Sequence, residues 1–273
     1  MSEIYRILLA PNPSALTGPG TNTIILGDAR SGATVIDPAV DDAEYLAAIV
    51  QEGQSRGGIR RILISHGHPD HIGGAEALRA RLDVPILAFS RQGVPFADEE
   101  IADNTPFACG DDTLRTLYTP GHRFDHLCFW LEQQRILFAG DLVASHGTVV
   151  IPPPPQGDLY DYLQSLQRVQ NLDIVSIVPA HGEVITRPQE KLAEYIAHRQ
   201  KREQQILAIL QNAPQGVTNE TIVQSIYTDI DASLHALATL SVQAHLSKLE
   251  REGRVQRIAT TQRGQQEYWQ LSR

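Results

Sequence analysis

Cysteine is nearly missing from this chain. Cys109 and Cys128 are the only two in 273 residues. They form no Cys-x-x-Cys pair and lie beside no histidine cluster, so they read as free buried thiols, not as a disulfide or as metal ligands. Long apolar runs are absent as well: none approaches the roughly eighteen residues that a spanning helix requires, and no membrane segment is expected. The opening Met1-Ser2-Glu3-Ile4-Tyr5-Arg6 lacks a basic region followed by an apolar one, so no secretory signal is expected and the cytoplasm is the expected compartment. Basic charge is in deficit, 23 Lys and Arg against 32 Asp and Glu, and the net charge of −9 opposes long-range attraction of polyanions without excluding a local basic patch.

What is present is a series of short apolar runs punctuated by turn residues. Ile4–Leu9, Asn22–Leu26 and Ala33–Ile36 read as strands separated by Gly and Pro. Asp41-Asp42 opens a helical pattern over Ala43–Val50. Arg61-Ile62-Leu63-Ile64 is a strand that runs into Ser65-His66-Gly67-His68-Pro69-Asp70-His71, and the helical pattern Ala75–Leu82 follows. Further strands are expected at Pro85–Phe89, Leu114–Tyr118, Leu127–Leu131, Arg135–Ala139 and Ile174–Val178, with a helix from Leu159.

Three imidazoles and one carboxylate within six residues are dense ligand chemistry, suited to Zn²⁺ or a similar first-row metal. His66 and His68, two apart in extended backbone, point to the same side and suit one metal; Asp70 and His71, where the helix begins, face a second. The strand-end placement recurs. Leu114–Tyr118 ends on Thr119-Pro120-Gly121-His122, Arg135–Ala139 on Gly140-Asp141, and Ile174–Val178 on Pro179-Ala180-His181-Gly182. Ligands at the carboxyl ends of strands occupy the place where open α/β sheets put their sites.

Taken in order, His66-x-His68-x-Asp70-His71, His122, Asp141 and His181 resemble the ligand set of the metallo-β-lactamase fold superfamily. The resemblance covers roughly residues 1–187 and implies an α/β fold, a four-layer αβ/βα sandwich with a dinuclear site on one edge. It further implies that His66, His68 and His122 hold the first metal, that Asp70, His71 and His181 hold the second, and that Asp141 bridges them. Two Zn²⁺ ions are expected, with Mn²⁺ or Fe as alternatives. A hydroxide shared by the metals is the expected nucleophile, and Asp70 is the catalytic residue that orients it or takes its proton. Departures narrow the activity: Asp141 and His71 stand where common β-lactamases use a cysteine, His68 stands where flavodiiron oxidoreductases carry Glu, and no inserted nuclease domain separates Asp141 from His181. Asn12-Pro13, Gly20-Thr21-Asn22-Thr23, Gly147–Val150, Asp158–Tyr162 and Tyr195-Ile196-Ala197-His198-Arg199 resemble the β-lactamase-like protein 2 group, which spans phosphodiester and thioester chemistry.

Four further residues are candidate substrate contacts. Arg123, beside His122, suits an anionic group, with a solvated surface arginine as the default. His126 reads either as a contact to substrate or as a hydrogen-bonded structural histidine, and His146 and Thr148 lie on a loop that should rim the site. The proline-rich 151–157 stretch reads as a stiff connector that shapes access or merely links. Residues 188–213 read as a connecting long helix with its charges on the outer face, and 214–273 as a winged-helix-like domain. In the latter, Lys248, Arg251, Arg254, Arg257, Arg263 and Arg273 are matched by Glu220, Asp229, Asp231, Glu250, Glu252 and Glu267, so the domain is neutral. His235 and His245 there stand alone and read as structural. The expected function is a dinuclear zinc hydrolase of a small ester or thioester. The rivals are a single-stranded RNA endonuclease and a non-catalytic binding protein on the same scaffold. Apolar surface on the long helix suits either a homodimer or the chain's own core.

Overall fold

A computed structural model describes residues 4–228, 235–258 and 267–272. Its first sheet has six strands in the order β1 (Tyr5–Leu9), β2 (Asn22–Asp28), β3 (Gly32–Ile36), β4 (Ile59–Leu63), β5 (Ile86–Ala88) and β6 (Glu99–Glu100). The first three are antiparallel and the rest join in parallel. The second sheet runs β11 (Ser176–Val178), β10 (Ile136–Phe138), β9 (Leu127–Leu131), β8 (Asp112–Tyr118) and β7 (Pro106–Cys109), and only its β10–β11 pair is parallel.

Strand alternation assigns each side chain to a layer. Ile25, Val35 and Ile62 point away from the second sheet into a core with Leu46 and Ile49 of helix α1 (Ala43–Ser55) and Leu78 of α3 (Ala75–Leu82). Their neighbours Ile24, Leu26, Ile36 and Leu63 point the other way, between the sheets, and meet Leu127, Phe129 and Leu131. Cys128, on the opposite face of β9, joins Leu166 of α4 (Leu159–Gln170) and Leu192 and Tyr195 of α5 (Pro188–Gln211). The result is helix, sheet, sheet, helix, as the resemblance implied. Ile25, Ile62 and Leu63 are fully buried, and each such burial stabilises by about 2 kcal/mol. Helix starts follow the local chemistry: the carboxylates of Asp42 and Asp158 accept backbone N–H bonds from the first turns of α1 and α4.

Every strand that feeds the site, β4 in the first sheet and β8, β10 and β11 in the second, stops short of its candidate ligand. β4 ends before His66, β8 before His122, β10 before Asp141 and β11 before His181. The four-residue helix α2 (Pro69–Ile72) then turns Asp70 and His71 back toward the strand ends, with Pro69 at its first position, where the missing N–H costs nothing.

Beyond the sandwich, α5 is one uninterrupted helix of 24 residues. It is followed by β12 (Val217–Thr218), α6 (Asn219–Ile226), α7 (His235–Arg251), β13 (Val255–Ile258) and β14 (Tyr268–Leu271). The last two pair as an antiparallel hairpin, which β12 extends to three strands. Of the charged residues of the expected winged-helix-like domain, Asp229, Asp231, Arg263 and Arg273 lie outside the described residues. One expectation for the long helix is corrected: its charges are not all outside, since Arg199 is 3 % exposed. Its apolar residues Leu192, Tyr195, Ile206 and Leu210 are buried in the chain's own cores, one of the two alternatives for them. His245 is buried as well, and His235 is exposed. Among the described residues no helix is long and apolar enough to cross a membrane.

Candidate metal centre

The strand ends bring all seven expected ligands together as two adjoining groups, His66, His68, His122 and Asp141 in one and Asp70, His71 and His181 in the other. In the first group His68 Nδ1 lies 2.8 Å from His66 Nε2 and 3.0 Å from His122 Nε2. Those separations approach the ~3.3 Å edge of a tetrahedron built on metal–nitrogen bonds of about 2.0 Å. Asp141 joins the two groups. Its Oδ2 is 3.4 Å from His122 Nε2 and 3.9 Å from His66 Nε2, while its Oδ1 is 3.3 Å from His181 Nε2 and 3.6 Å from His71 Nε2. Asp70 Oδ2 lies 3.5 Å from His181 Nε2 and 3.9 Å from His71 Nε2.

The partners behind the rings fix which nitrogen faces inward. His122 Nδ1 meets the Val150 carbonyl at 2.7 Å, and a carbonyl only accepts, so Nδ1 carries the hydrogen and Nε2 keeps its lone pair. His71 Nδ1 meets Asp37 Oδ2 at 2.8 Å on the same logic. Ser65 donates its hydroxyl to that Asp37 oxygen at 2.6 Å and is left to accept from His66 Nδ1 at 3.0 Å. Inward lone pairs on several imidazoles are what a metal-binding site requires. Asp37 itself follows β3, and the parallel register that sets Ile36 opposite Leu63 carries its carboxylate to the Ser65 backbone N–H at 2.7 Å.

The electrostatics agree with this division of labour. Burial, with the neighbouring histidines adding to it, holds His66 and His68 below the ordinary imidazole range, His68 at about 3. Burial likewise lowers His122, so all three rings stay neutral. For His71 burial acts in the same direction, but the Asp141 and Asp37 carboxylates overcome it and raise the ring above its usual range. His71 Nε2 is nevertheless buried without a hydrogen-bond partner, as is His181 Nδ1. A buried nitrogen aimed at two carboxylates and bonded to neither fits a cation between them. The donor set, five imidazoles and two carboxylates with the Asp37 carboxylate behind His71, therefore fits divalent metal.

Several residues that sequence reasoning did not single out hold this arrangement. Asp37, Ser65 and the Val150 carbonyl support the rings as described. Asn22 donates to the carbonyls of Pro179 and Gly182 at 3.0 and 2.8 Å, pinning the turn that carries His181. Arg199, from α5, donates to Thr148 Oγ1 at 2.8 Å and to the Val149 carbonyl at 2.5 Å, beside the carbonyl that orients His122. An Asp after a strand was the available signal for Asp37; Arg199 stood in the Tyr195–Arg199 stretch that carries the resemblance, but nothing local gave it this role.

The candidate substrate contacts fare unequally. For His126 the structure favours the hydrogen-bonded reading over the substrate contact: it is fully buried and accepts the Asp141 backbone N–H on Nε2 at 3.0 Å while bonding Thr119 through Nδ1 at 2.9 Å. It positions the Asp141 carboxylate, and with both ring nitrogens used it is held away from substrate. Gly140 makes this possible, because a Cβ there would sit 2.7 Å from His126 Nε2 and its φ of +49° is unfavourable for other residues. Thr148 uses its hydroxyl on Arg199. His146 is exposed on the loop after Asp141 and belongs to neither ligand group. Arg123 is not a freely solvated arginine, since its Nε donates to Asp125 Oδ1 at 2.7 Å.

Comparison with known proteins points in one direction. Residues 16–181 match the family described as the Metallo-beta-lactamase superfamily, and residues 218–265 match the Beta-lactamase associated winged helix domain. A Beta-lactamase-like protein 2 homolog of Caenorhabditis elegans is 32% identical, over 94% of this chain and 87% of that protein. A protein of Aspergillus fumigatus named Atrochrysone carboxyl ACP thioesterase is 34% identical, over 77% of this chain and 65% of that protein. The crystal structure of a Beta-lactamase domain protein from Burkholderia ambifaria shares the fold with a TM-score of 0.83 at 20% identity, covering 98% of this chain and 91% of that one.

Proposed function

The chain belongs to the metallo-β-lactamase superfamily of hydrolases, and from that membership we propose that it is a dinuclear, zinc-dependent hydrolase of small esters or thioesters. The observation that carries this reading is Asp141, whose two oxygens each face a different cluster of imidazole nitrogens. His66, His68 and His122 would hold one cation and Asp70, His71 and His181 the other; Mn²⁺ or Fe suit the same donors. Bound there, the cations would lower the pKa of water and polarise the substrate oxygen.

The chain's own residues supply the rest. Asp70 has 31 % of its side chain exposed against 12 % for Asp141, so it is the carboxylate open to solvent that can orient the attacking water and take its proton. The backing acceptors hold the rings in place, so no reorientation is needed as charge develops on the substrate. A thiol nucleophile is disfavoured: burial pushes Cys109 up to about 11 and Cys128 up to about 12, far from the thiolate range at neutral pH.

A small substrate is favoured over RNA by the charges of the C-terminal module. Each described Lys or Arg there is already engaged by acids: Lys248 by Glu203 and Glu252, Arg251 by Asp158 and Asp161, Arg254 by Glu203 and Glu252, and Arg257 by Glu250 and Glu267. A phosphate backbone would have to displace those pairs. The name of the Aspergillus fumigatus relative favours a thioester among small substrates. Single-stranded RNA cleavage is the second reading, favoured by the winged helix.

The test is turnover by zinc- and manganese-reconstituted protein on acyl thioesters and on single-stranded RNA, with Asp70→Ala as the control for contamination. Thioester hydrolysis that disappears in the variant, with two ions per chain by elemental analysis, is expected. RNA cleavage lost in that variant without thioester turnover would overturn the substrate reading. Well under two ions per chain would overturn the dinuclear one.

A further inference from the structure

Arg123 directly follows a candidate ligand, and its neighbours fix where it lies. Asp125, which holds its Nε, keeps 1 % of its side chain exposed and accepts the Gly67 backbone N–H on its other oxygen at 2.9 Å. Gly67 is the residue between His66 and His68. A Cβ on Gly67 would lie 3.1 Å from Arg123 Nη2 and 2.1 Å from the Gly93 carbonyl oxygen. The missing side chain is therefore what lets the guanidinium lie against the turn that carries two ligands.

The arginine is anchored by one nitrogen and open at the other two. Among the described residues no side chain or carbonyl accepts from Nη1 or Nη2, and 19 % of the side chain is exposed. The Phe124 ring lies 5.4 Å from the guanidinium carbon and leaves that outer edge clear of hydrogen-bond partners. With Nε held, the guanidinium plane is fixed and its outer edge becomes a two-toothed fork, the geometry that matches a carboxylate or phosphate. Much of the side-chain freedom that binding would remove is already gone. In a chain of net charge −9 long-range attraction does not draw anions in, so discrimination in their favour has to come from a contact of this kind.

We propose that Arg123 is the specificity-determining residue of the site, clamping a carboxylate or phosphate group of the substrate beside His68 and His122, so that the enzyme prefers esters or thioesters bearing an anionic group. The proposal rests on the hydrolase reading and adds the class of substrate.

Two measurements test it, one with turnover and one without. S-succinyl and S-butyryl N-acetylcysteamine present the same thioester on acyl chains of equal length and differ by a carboxylate in place of a methyl group. The wild-type protein is expected to favour the succinyl compound in kcat/KM, and Arg123→Gln to erase that preference by roughly tenfold or more, chiefly through KM. Arg123→Lys, which keeps the charge toward Asp125 but not the fork, restores part of it. An equal loss on both substrates, or no preference in the wild type, overturns the proposal. Calorimetric titration of the metal-loaded protein with succinate and with acetate gives the second readout. Tighter binding of succinate by the wild type that vanishes in the metal-replete Arg123→Gln protein supports the clamp even if no thioester is turned over, in which case the thioesterase reading alone fails. Should Arg123→Gln not fold, the Lys variant and the wild-type preference carry the same decision.

Discussion

Asp37 shows how much of the site resides behind the ligands. Its carboxylate accepts from His71 Nδ1, from the Ser65 hydroxyl and from the Ser65 backbone N–H, and through Ser65 it also sets the His66 ring. Removing such a partner leaves buried donors unpaired and lets two rings turn. Asp37→Ala is expected to weaken metal affinity by roughly 10- to 100-fold, measured by competition with a chromophoric chelator. Unchanged affinity in a folded variant would show that the rings are held without it. The seven candidate ligand positions were legible in the sequence because they cluster just after apolar strand runs, in the connecting turns or, for Asp70 and His71, in the short helix α2, a signal carried by adjacent residues. Asp37 has the same local form, Ile36-Asp37-Pro38, yet what makes it functional is the β3–β4 register that sets it against Ser65, and pairing across 28 positions leaves no local trace. His126 is the opposite case: its spacing after His122 left a substrate contact and a structural histidine both open, and only packing shows that its nitrogen is used on the Asp141 backbone.

Helix α5 makes the corresponding point at the scale of an element. Periodicity gave its existence, but it placed Arg199 among solvated charges, whereas the structure buries it to 3 % exposure with its guanidinium 5.5 Å from the Tyr162 ring. A buried arginine is tolerated when its donors are used; here Nη2 is used on Thr148 and Val149, while Nε is buried without a partner. The helix thereby holds the loop whose next carbonyl, that of Val150, orients His122. Arg199→Met keeps an apolar stem against Tyr162 but leaves the Val149 carbonyl without that donor, so a loss of about 2 kcal/mol in urea unfolding is expected. A variant as stable as the wild type would mean that the loop is fixed by the rigid prolines that follow it.

Across the whole molecule the same helix belongs to two cores. Leu192 and Tyr195 pack with α4 and the second sheet, while Ile206 and Leu210 pack with Ile222, Val242, Leu246 and Trp269 of the C-terminal module. α7 straddles the boundary as well: Ala244 sits in the first core, its neighbours Val242 and Leu246 in the second, and Arg251 reaches Asp158 and Asp161 at the start of α4. Unfolding the module would strip the outer half of α5 and expose part of the sandwich, so the two are expected to unfold together. The chain offers a direct reporter, because its only two tryptophans are divided between the cores, Trp130 packed against the first and Trp269 buried in the second. Trp130→Phe and Trp269→Phe each leave one core visible by fluorescence, and their urea midpoints are expected to coincide. Adding Ile206→Ala, at a fully buried position where truncation costs about 3 kcal/mol, should lower both midpoints equally. If only the midpoint seen through Trp269 moved, the helix would be a tether between independent domains, and the hold of α5 on the His122 loop would persist after the module had unfolded.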